Sequence, residues 1–271
     1  PVMTGTPPFR IHPGDAPFVR PDHPWPSINN RAEAAALAAQ GKTPPPPWRD
    51  PAPKPHAVGP MMEESHAMVR FVADVGYPGS DASYHLPAFY ELWARWGPEA
   101  DRAFWATAAD VSRDYFVRVT DARTGLAPDH SYFDGSTMTT GTGEPYPFGY
   151  DSWRTSSNWS VDASWWGKDP RQKTLSTAIQ TFLAGEGIDR FADRYTLDGK
   201  PLSQRHSPGM VAATAVAGLA GTPAPLARAF VKELWDTPMP AGEQRYFDGM
   251  LYLMSMMHLA GEYRIIAPPT G

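Results

Sequence analysis

Proline placement constrains this chain more than any other feature. Fifteen of its 31 prolines lie in residues 1–57, including the run Pro44 to Pro47. Proline lacks an amide hydrogen and clashes with the preceding turn, so it is kept out of helix interiors. In that stretch only Asn30 to Gln40 (NRAEAAALAAQ) is free to form a helix, and Gly41 would end it. The rest reads as an extended arm or linker of polyproline character, with disorder as the alternative reading. We therefore separate an arm, residues 1–57, from a folded part, residues 58–271.

Beyond residue 58 the prolines change role. Several stand where helices begin, and there a missing amide hydrogen costs nothing. Gly97-Pro98, Asp169-Pro170, Ser207-Pro208 and Thr222-Pro223 each precede a run with helical spacing. After Pro98, the residues Phe104, Ala108, Val111, Tyr115 and Val119 share one helix face. Further helices are expected over Leu86 to Trp96, Ser152 to Trp166, Asp169-Pro170 to Leu183, and Tyr246 to Leu259. The last contains MLYLMSMMHL, apolar nearly all round, and is expected to be buried. Met68 to Val75 alternates in part and predicts a short strand or extended segment. Asp121 to Tyr150 is a long Gly-, Thr- and Pro-bearing loop, a length usually tied to function or disorder. About seven helices in series, joined by unequal loops, predict an all-α domain of helical hairpins.

Charge and composition then exclude several functions. The net charge of −5 is dispersed, which argues against a nucleic-acid footprint. There is no cysteine, so disulfides, a thiol nucleophile and thiolate metal sites are ruled out, and a cytoplasmic location is the expectation. No apolar run is long enough to cross a bilayer, and the chain opens with no charged-then-apolar leader pattern. His56, His66, His85, His130, His206 and His258 are scattered, with no HExxH-type pair, so neither a metal nor a cofactor is expected. Nucleophile-elbow, P-loop and dinucleotide motifs are also missing.

What remains is a run of five residues, Tyr-Asp-Ser-Trp-Arg at 150–154, between the long loop and an aromatic helix. Carbohydrate sites combine aromatic faces for the sugar ring with carboxylates for acid–base work. Asp151 is expected at a helix N-terminus, whose dipole favours the ionised carboxylate, and Arg154 one turn on favours the same form. That environment suits a general base. The structural alternative is an ordinary helix-capping aspartate with an i+3 arginine. Glu63, Glu64, Asp134, Glu144, Asp162 and Asp248 compete for a catalytic role, and caps or buried ion pairs are the commoner explanation of such residues.

Four stretches, taken in order, resemble glycoside hydrolase family 8. They are SDASYHLPAFYELWARWG (residues 80–97), GLAPDHSYFDG (125–135), FGYDSWRTSSNWSVDASWW (148–166) and RYFDGMLYLMSMMHLAGEYRI (245–265). The Ser-Tyr-His-Leu-Pro wording and the histidine loop before residue 208 are most similar to the reducing-end xylose-releasing exo-oligoxylanases of that family. The resemblance implies an (α/α)6 barrel, of which this chain would hold an incomplete, C-terminal half. It also implies an inverting reaction on xylo-oligosaccharides, with endo-acting glycanases and a non-catalytic sugar-binding remnant as alternatives.

Carried over by motif, Asp151 corresponds to the general base, Tyr84 to the tyrosine beside it and Arg154 to the arginine that follows. His206 corresponds to the loop histidine that binds the reducing-end xylose, although the loop here reads Arg-His-Ser-Pro-Gly. Trp153 and Tyr132 are candidates for stacking on sugar. The family's general-acid glutamate lies in an early "E-G-M-S-Y-G-M" type motif, which does not occur in this chain; Glu64-Ser-His-Ala-Met68 only echoes it. Helix faces that a full barrel would bury are then left open, so self-association or a partner chain is expected through them.

Overall fold

The computed structural model describes residues 39, 41 and 59–267. The proline-rich arm, His56 and most of the helix expected at Asn30 to Gln40 fall outside them. Ala39 is helical, and Gly41 has φ 67°, the left-handed conformation that ends a helix. The chain divides into two units, residues 1–55 and 56–271, and the second is described here.

Among the described residues there are seven α-helices: α1 (Pro87–Trp96), α2 (Arg102–Val119), α3 (Trp153–Trp166), α4 (Arg171–Glu186), α5 (Pro208–Val216), α6 (Ala224–Asp236) and α7 (Arg245–Leu259). Four two-residue strands accompany them: β1 (Met62–Glu63), β2 (Met68–Val69), β3 (Gly79–Ser80) and β4 (Ser131–Tyr132). β1 pairs antiparallel with β2, Met62 opposite Val69, and β3 with β4, Gly79 opposite Tyr132. The strand expected over Met68 to Val75 is confined to its first two residues. The Asp74 side chain accepts the Gly76 amide at 2.9 Å, an Asx turn that breaks the extended run.

The helix starts follow the proline signals to within a few residues. Pro87 and Pro208 occupy the first helical position of α1 and α5. After Pro98 a short 3-10 turn, Glu99–Asp101, intervenes before α2. Asp169 accepts the Arg171 amide at 2.9 Å and so satisfies a free amide at the start of α4. Gly167 ends α3 in the left-handed region (φ 59°), where a side chain is strained.

α3 is the centre of the packing. It touches α1, α2, α4, α5 and the 3-10 turn Ala217–Ala220. Trp153, Trp159, Tyr115, Phe116, Phe148 and Phe230 are fully buried in the main core. α5 is buried along Gly209 to Val216 because it is built of small residues. A Cβ on Gly209 would come within 2.7 Å of Asp248 Oδ1 on α7, so glycine is what lets α7 approach.

α7 departs from expectation. Only Asp248 and Ser255 are buried, whereas Met250, Leu253, Met254 and Met257 are exposed. A helix that is apolar all round needs neighbours on every side, and α5 is its principal neighbour here. Exposed Val231 and Trp235 on α6 add to the uncovered apolar surface.

Candidate active site

Asp151 lies in a 3-10 turn, Tyr150–Ser152, that runs into α3. The turn is held from both sides. The Gly149 amide donates to Ser152 Oγ at 2.8 Å, and the Ser152 amide donates to the Gly149 carbonyl at 3.1 Å. Phe148 and Trp153 anchor the flanks in the core. Tyr150 takes φ 47°, a left-handed conformation that side chains avoid at a cost of ~1–3 kcal/mol. The surrounding bonds hold this strain, and the Tyr150 ring remains exposed beside the aspartate, with the Arg194 guanidinium 5.5 Å from its centre.

The Asp151 carboxylate is 36% exposed and lies 3.0 Å from Arg154 Nη2, whose side chain is 31% exposed. The Arg154 guanidinium stands 5.5 Å from the centre of the Tyr84 ring. Tyr84 ends the short turn Ala82–Tyr84, and its ring stacks on Phe71 at 5.7 Å. Burial, reinforced by the charges of Asp151 and Asp81, holds the Tyr84 hydroxyl above its usual range, so it stays protonated and able to donate. The structure thus brings Asp151, Arg154 and Tyr84 into one group.

Two further carboxylates stand behind it. Asp81 is buried, accepts the Ser83 amide at 2.6 Å, and leaves Oδ2 unpartnered. Burial raises its carboxyl from 3.8 to about 7 against the opposing pull of Ser83. Asp129 is raised to about 6, first by burial and then by the charge of Asp151. His130, packed against Phe71 and Tyr146, bonds the Tyr77 hydroxyl at 3.0 Å; burial lowers its affinity for a proton. Sequence reasoning gave these residues no role. The Asp-Ala-Ser spacing at 81–83 is a recognisable Asx-turn signal, but burial and convergence belong to the tertiary structure.

Asp81 makes stability depend on pH in a definite direction. Its folded-state value lies above the unfolded one, so folded protein retains the proton longer. Its contribution is present at low pH and is lost as pH rises from 3.8 to about 7. His85, buried and neutral with its value lowered to about 3, acts oppositely as pH falls below 6.5. The difference between Asp81→Asn and the parent isolates the first effect. We expect the variant to gain melting temperature relative to the parent as pH rises through that window; parallel curves from thermal melts at several pH values would refute this.

The other candidates are placed differently. Trp153 is fully buried and its indole N–H donates to the Asp193 carbonyl at 2.8 Å. Its ring belongs to the core, so the expectation that it stacks on sugar is corrected; Tyr150 is the exposed ring at that position. Tyr132 is exposed on β4. His206 places Nδ1 2.8 Å from the Phe191 carbonyl and Nε2 3.4 Å from Glu233, so both ring nitrogens face protein groups.

Asp162 pairs with Arg113, and Asp248 accepts from Arg205 and Ser207. Glu63 pairs with Arg70, and Asp134 closes an Asx turn on Ser136. Glu64 and Glu144 are on the surface. Among the described residues no hydrogen bond or ion pair joins a glutamate to Asp151, Tyr84 or Arg154. No group of three His, Asp or Glu among them could hold a metal ion, and no helix is long and apolar enough to cross a membrane.

Comparison with known proteins bears on this arrangement. No family model matches the chain. It is 38% identical over 209 residues to a reducing-end xylose-releasing exo-oligoxylanase of Paenibacillus barcinonensis, covering 76% of this chain and 54% of that protein. It is 35% identical over 213 residues to a reducing end xylose-releasing exo-oligoxylanase of Bifidobacterium adolescentis, covering 76% and 55%. Among solved structures, a glycoside hydrolase family 8 xylobiose complex from Teredinibacter turnerae superposes with a TM-score of 0.73 at 44% identity, covering 76% and 53%. The chain spans about half the length of the curated relatives it matches. The helical hairpins are those of the (α/α)6 barrel in these enzymes. In sequence and in fold, this chain is similar to enzymes of glycoside hydrolase family 8, reducing-end xylose-releasing exo-oligoxylanases among them.

Proposed function

We propose that the chain supplies the water-activating side of an inverting glycosidase acting on short xylo-oligosaccharides, with xylose leaving from the reducing end. One observation carries this reading: a solvent-accessible aspartate, paired with Arg154, beside the Tyr84 ring on a rigid helix entry. In an inverting reaction water attacks the anomeric carbon from the face opposite the leaving group. Asp151 accepts the water's proton as the new C–O bond forms. The glycosidic C–O bond breaks, and a second carboxyl group ~6.5–9.5 Å away protonates the departing oxygen. Arg154 holds Asp151 in place, Tyr84 donates toward ring or water, and the exposed Tyr150 ring offers a sugar platform.

Asp81 carries a proton near neutrality, yet it is sealed from solvent and has no path to a leaving oxygen. The chain alone is therefore expected to lack acid assistance, which is worth ~10²–10⁴-fold. Substrate chemistry tests this. A xylobiosyl fluoride needs little protonation of its leaving group, so it should be hydrolysed much faster than xylotriose. Equal rates on both would show that an acid is present. Xylotriose binding without turnover of either would favour a sugar-binding remnant instead. Product chromatography separates exo from endo action, since mixed oligomers indicate an endo enzyme.

A further inference from the structure

The geometry points to Ser83 as the positioning residue of this site, the shared anchor that sets the Arg154 guanidinium and the Tyr84 ring around Asp151. Its consequence for rate rests on the glycosidase reading; its geometry does not.

Ser83 is 4% exposed, and each of its polar groups is engaged. Its amide donates to Asp81 Oδ1 at 2.6 Å. Its carbonyl accepts from Asn158 Nδ2 at 2.7 Å, and its hydroxyl accepts from Arg154 Nη2 at 3.0 Å. Arg154 and Asn158 are four residues apart, one above the other on the same face of α3. Two successive rungs of that helix therefore grip one residue of the Ala82–Tyr84 turn, by its backbone and by its side chain. Tyr84 is the next residue and moves with the grip.

Arg154 Nη2 has two hydrogens. One serves Ser83 Oγ, and the other faces Asp151 Oδ1 at 3.0 Å. Ser83 takes the Arg154 hydrogen on its hydroxyl oxygen while its amide donates to Asp81 Oδ1. The ion pair of Asp151 with Arg154 is thus joined, through the Ser83 hydroxyl and then the Ser83 amide, to a buried acid. At the surface end, Arg154 is partly exposed, and an arginine tethered only to Asp151 would exchange that partner for water. The serine hydroxyl removes that freedom. Its loss leaves the amide bond to Asp81 and the carbonyl bond to Asn158 intact, so the turn itself should survive Ser83→Ala.

The test is a double-mutant cycle on the full chain, with Ser83→Ala, Arg154→Ala and the pair, read on xylobiosyl fluoride. Ser83→Ala should lower kcat roughly tenfold, the scale of one hydrogen bond to a charged group, and leave KM little changed. If the serine acts through the arginine, adding Ser83→Ala to Arg154→Ala should cost less than about twofold. Fully additive losses would overturn the inference.

A second readout does not depend on turnover. In arginine-labelled NMR spectra the parent should show separate Nη hydrogens for Arg154, because two bonds restrain rotation of the guanidinium. Ser83→Ala should average them. An unchanged Arg154 pattern would overturn the inference at any level of activity. A chain that hydrolyses neither substrate, but whose Arg154 signals respond, would remove the glycosidase reading and leave the positioning role standing.

Discussion

Asp151→Asn should abolish measurable hydrolysis, with kcat falling ~10²–10⁴-fold on xylobiosyl fluoride and xylo-oligosaccharides alike. Asparagine keeps the size and shape of the side chain but has no basic oxygen with which to take a proton from water. It can also turn an NH2 donor toward Arg154 Nη2, now 3.0 Å from a carboxylate oxygen, so donor would oppose donor. Substrate contacts elsewhere are untouched. The loss should therefore appear in kcat with affinity for xylotriose retained, the mark of an interaction used in the transition state. Stopped assays with the fluoride give the rate, and calorimetry gives the affinity. Turnover within a few-fold of the parent would remove Asp151 from the base role.

The largest effect on stability is expected from Arg113→Met. Arg113, on α2, is 3% exposed and makes a bidentate pair with Asp162 on α3, both bonds 2.8 Å. It also lies 3.0 Å from Glu91 on α1, which Lys168 approaches at 2.6 Å. Gln172 on α4 donates to Asp162 at 2.6 Å. The neighbouring carboxylates draw the guanidinium firmly into its charged form. The cation thus joins three helices directly, including the one that carries the site, and Asp162 links a fourth through Gln172.

Removing Arg113 strands the fully buried Asp162 carboxylate and leaves the nearly buried Glu91 with Lys168 alone. Breaking such a pair from one side costs ~3–5 kcal/mol, because the remaining charge has lost its partner without regaining water. For a chain of this size that corresponds to a melting temperature lower by roughly 10 °C. Denaturant titration measures it, and Arg113→Met/Asp162→Leu should recover part of the loss. A variant as stable as the parent would mean that water reaches the network.

The helical plan was readable because proline and glycine act locally. Pro87, Pro208 and Gly167 mark their boundaries through missing hydrogens and allowed φ values, without help from distant residues. The same locality made the pairing of Asp151 with Arg154 legible, since i,i+3 neighbours on one turn must meet. Errors arose where a side chain's surroundings decide its role. Trp153 is a candidate sugar platform from sequence, yet neighbouring residues on a helix point in different directions, and this ring faces the core. The composition of α7 predicts a buried helix, but burial depends on which neighbours are present.

Ser83, Asp81 and Asp129 were silent for a related reason. None has a distinctive local pattern of catalysis, and each is separated from Asp151 in sequence by more than twenty residues. Their importance depends on a buried amide, an accepted guanidinium hydrogen and a lost hydration shell, none of which spacing encodes.

The sequence by itself determined where helices start and stop, that the folded part is all-α, and that an arginine would sit against Asp151. These follow from backbone sterics and the helical repeat, which act over a few residues. Only the tertiary structure decided which ring is exposed beside the aspartate, which carboxyl groups hold a proton near neutrality, and which serine ties α3 to the turn bearing Tyr84. Those outcomes depend on desolvation and on contacts between distant segments, and both exist only once the helices have packed.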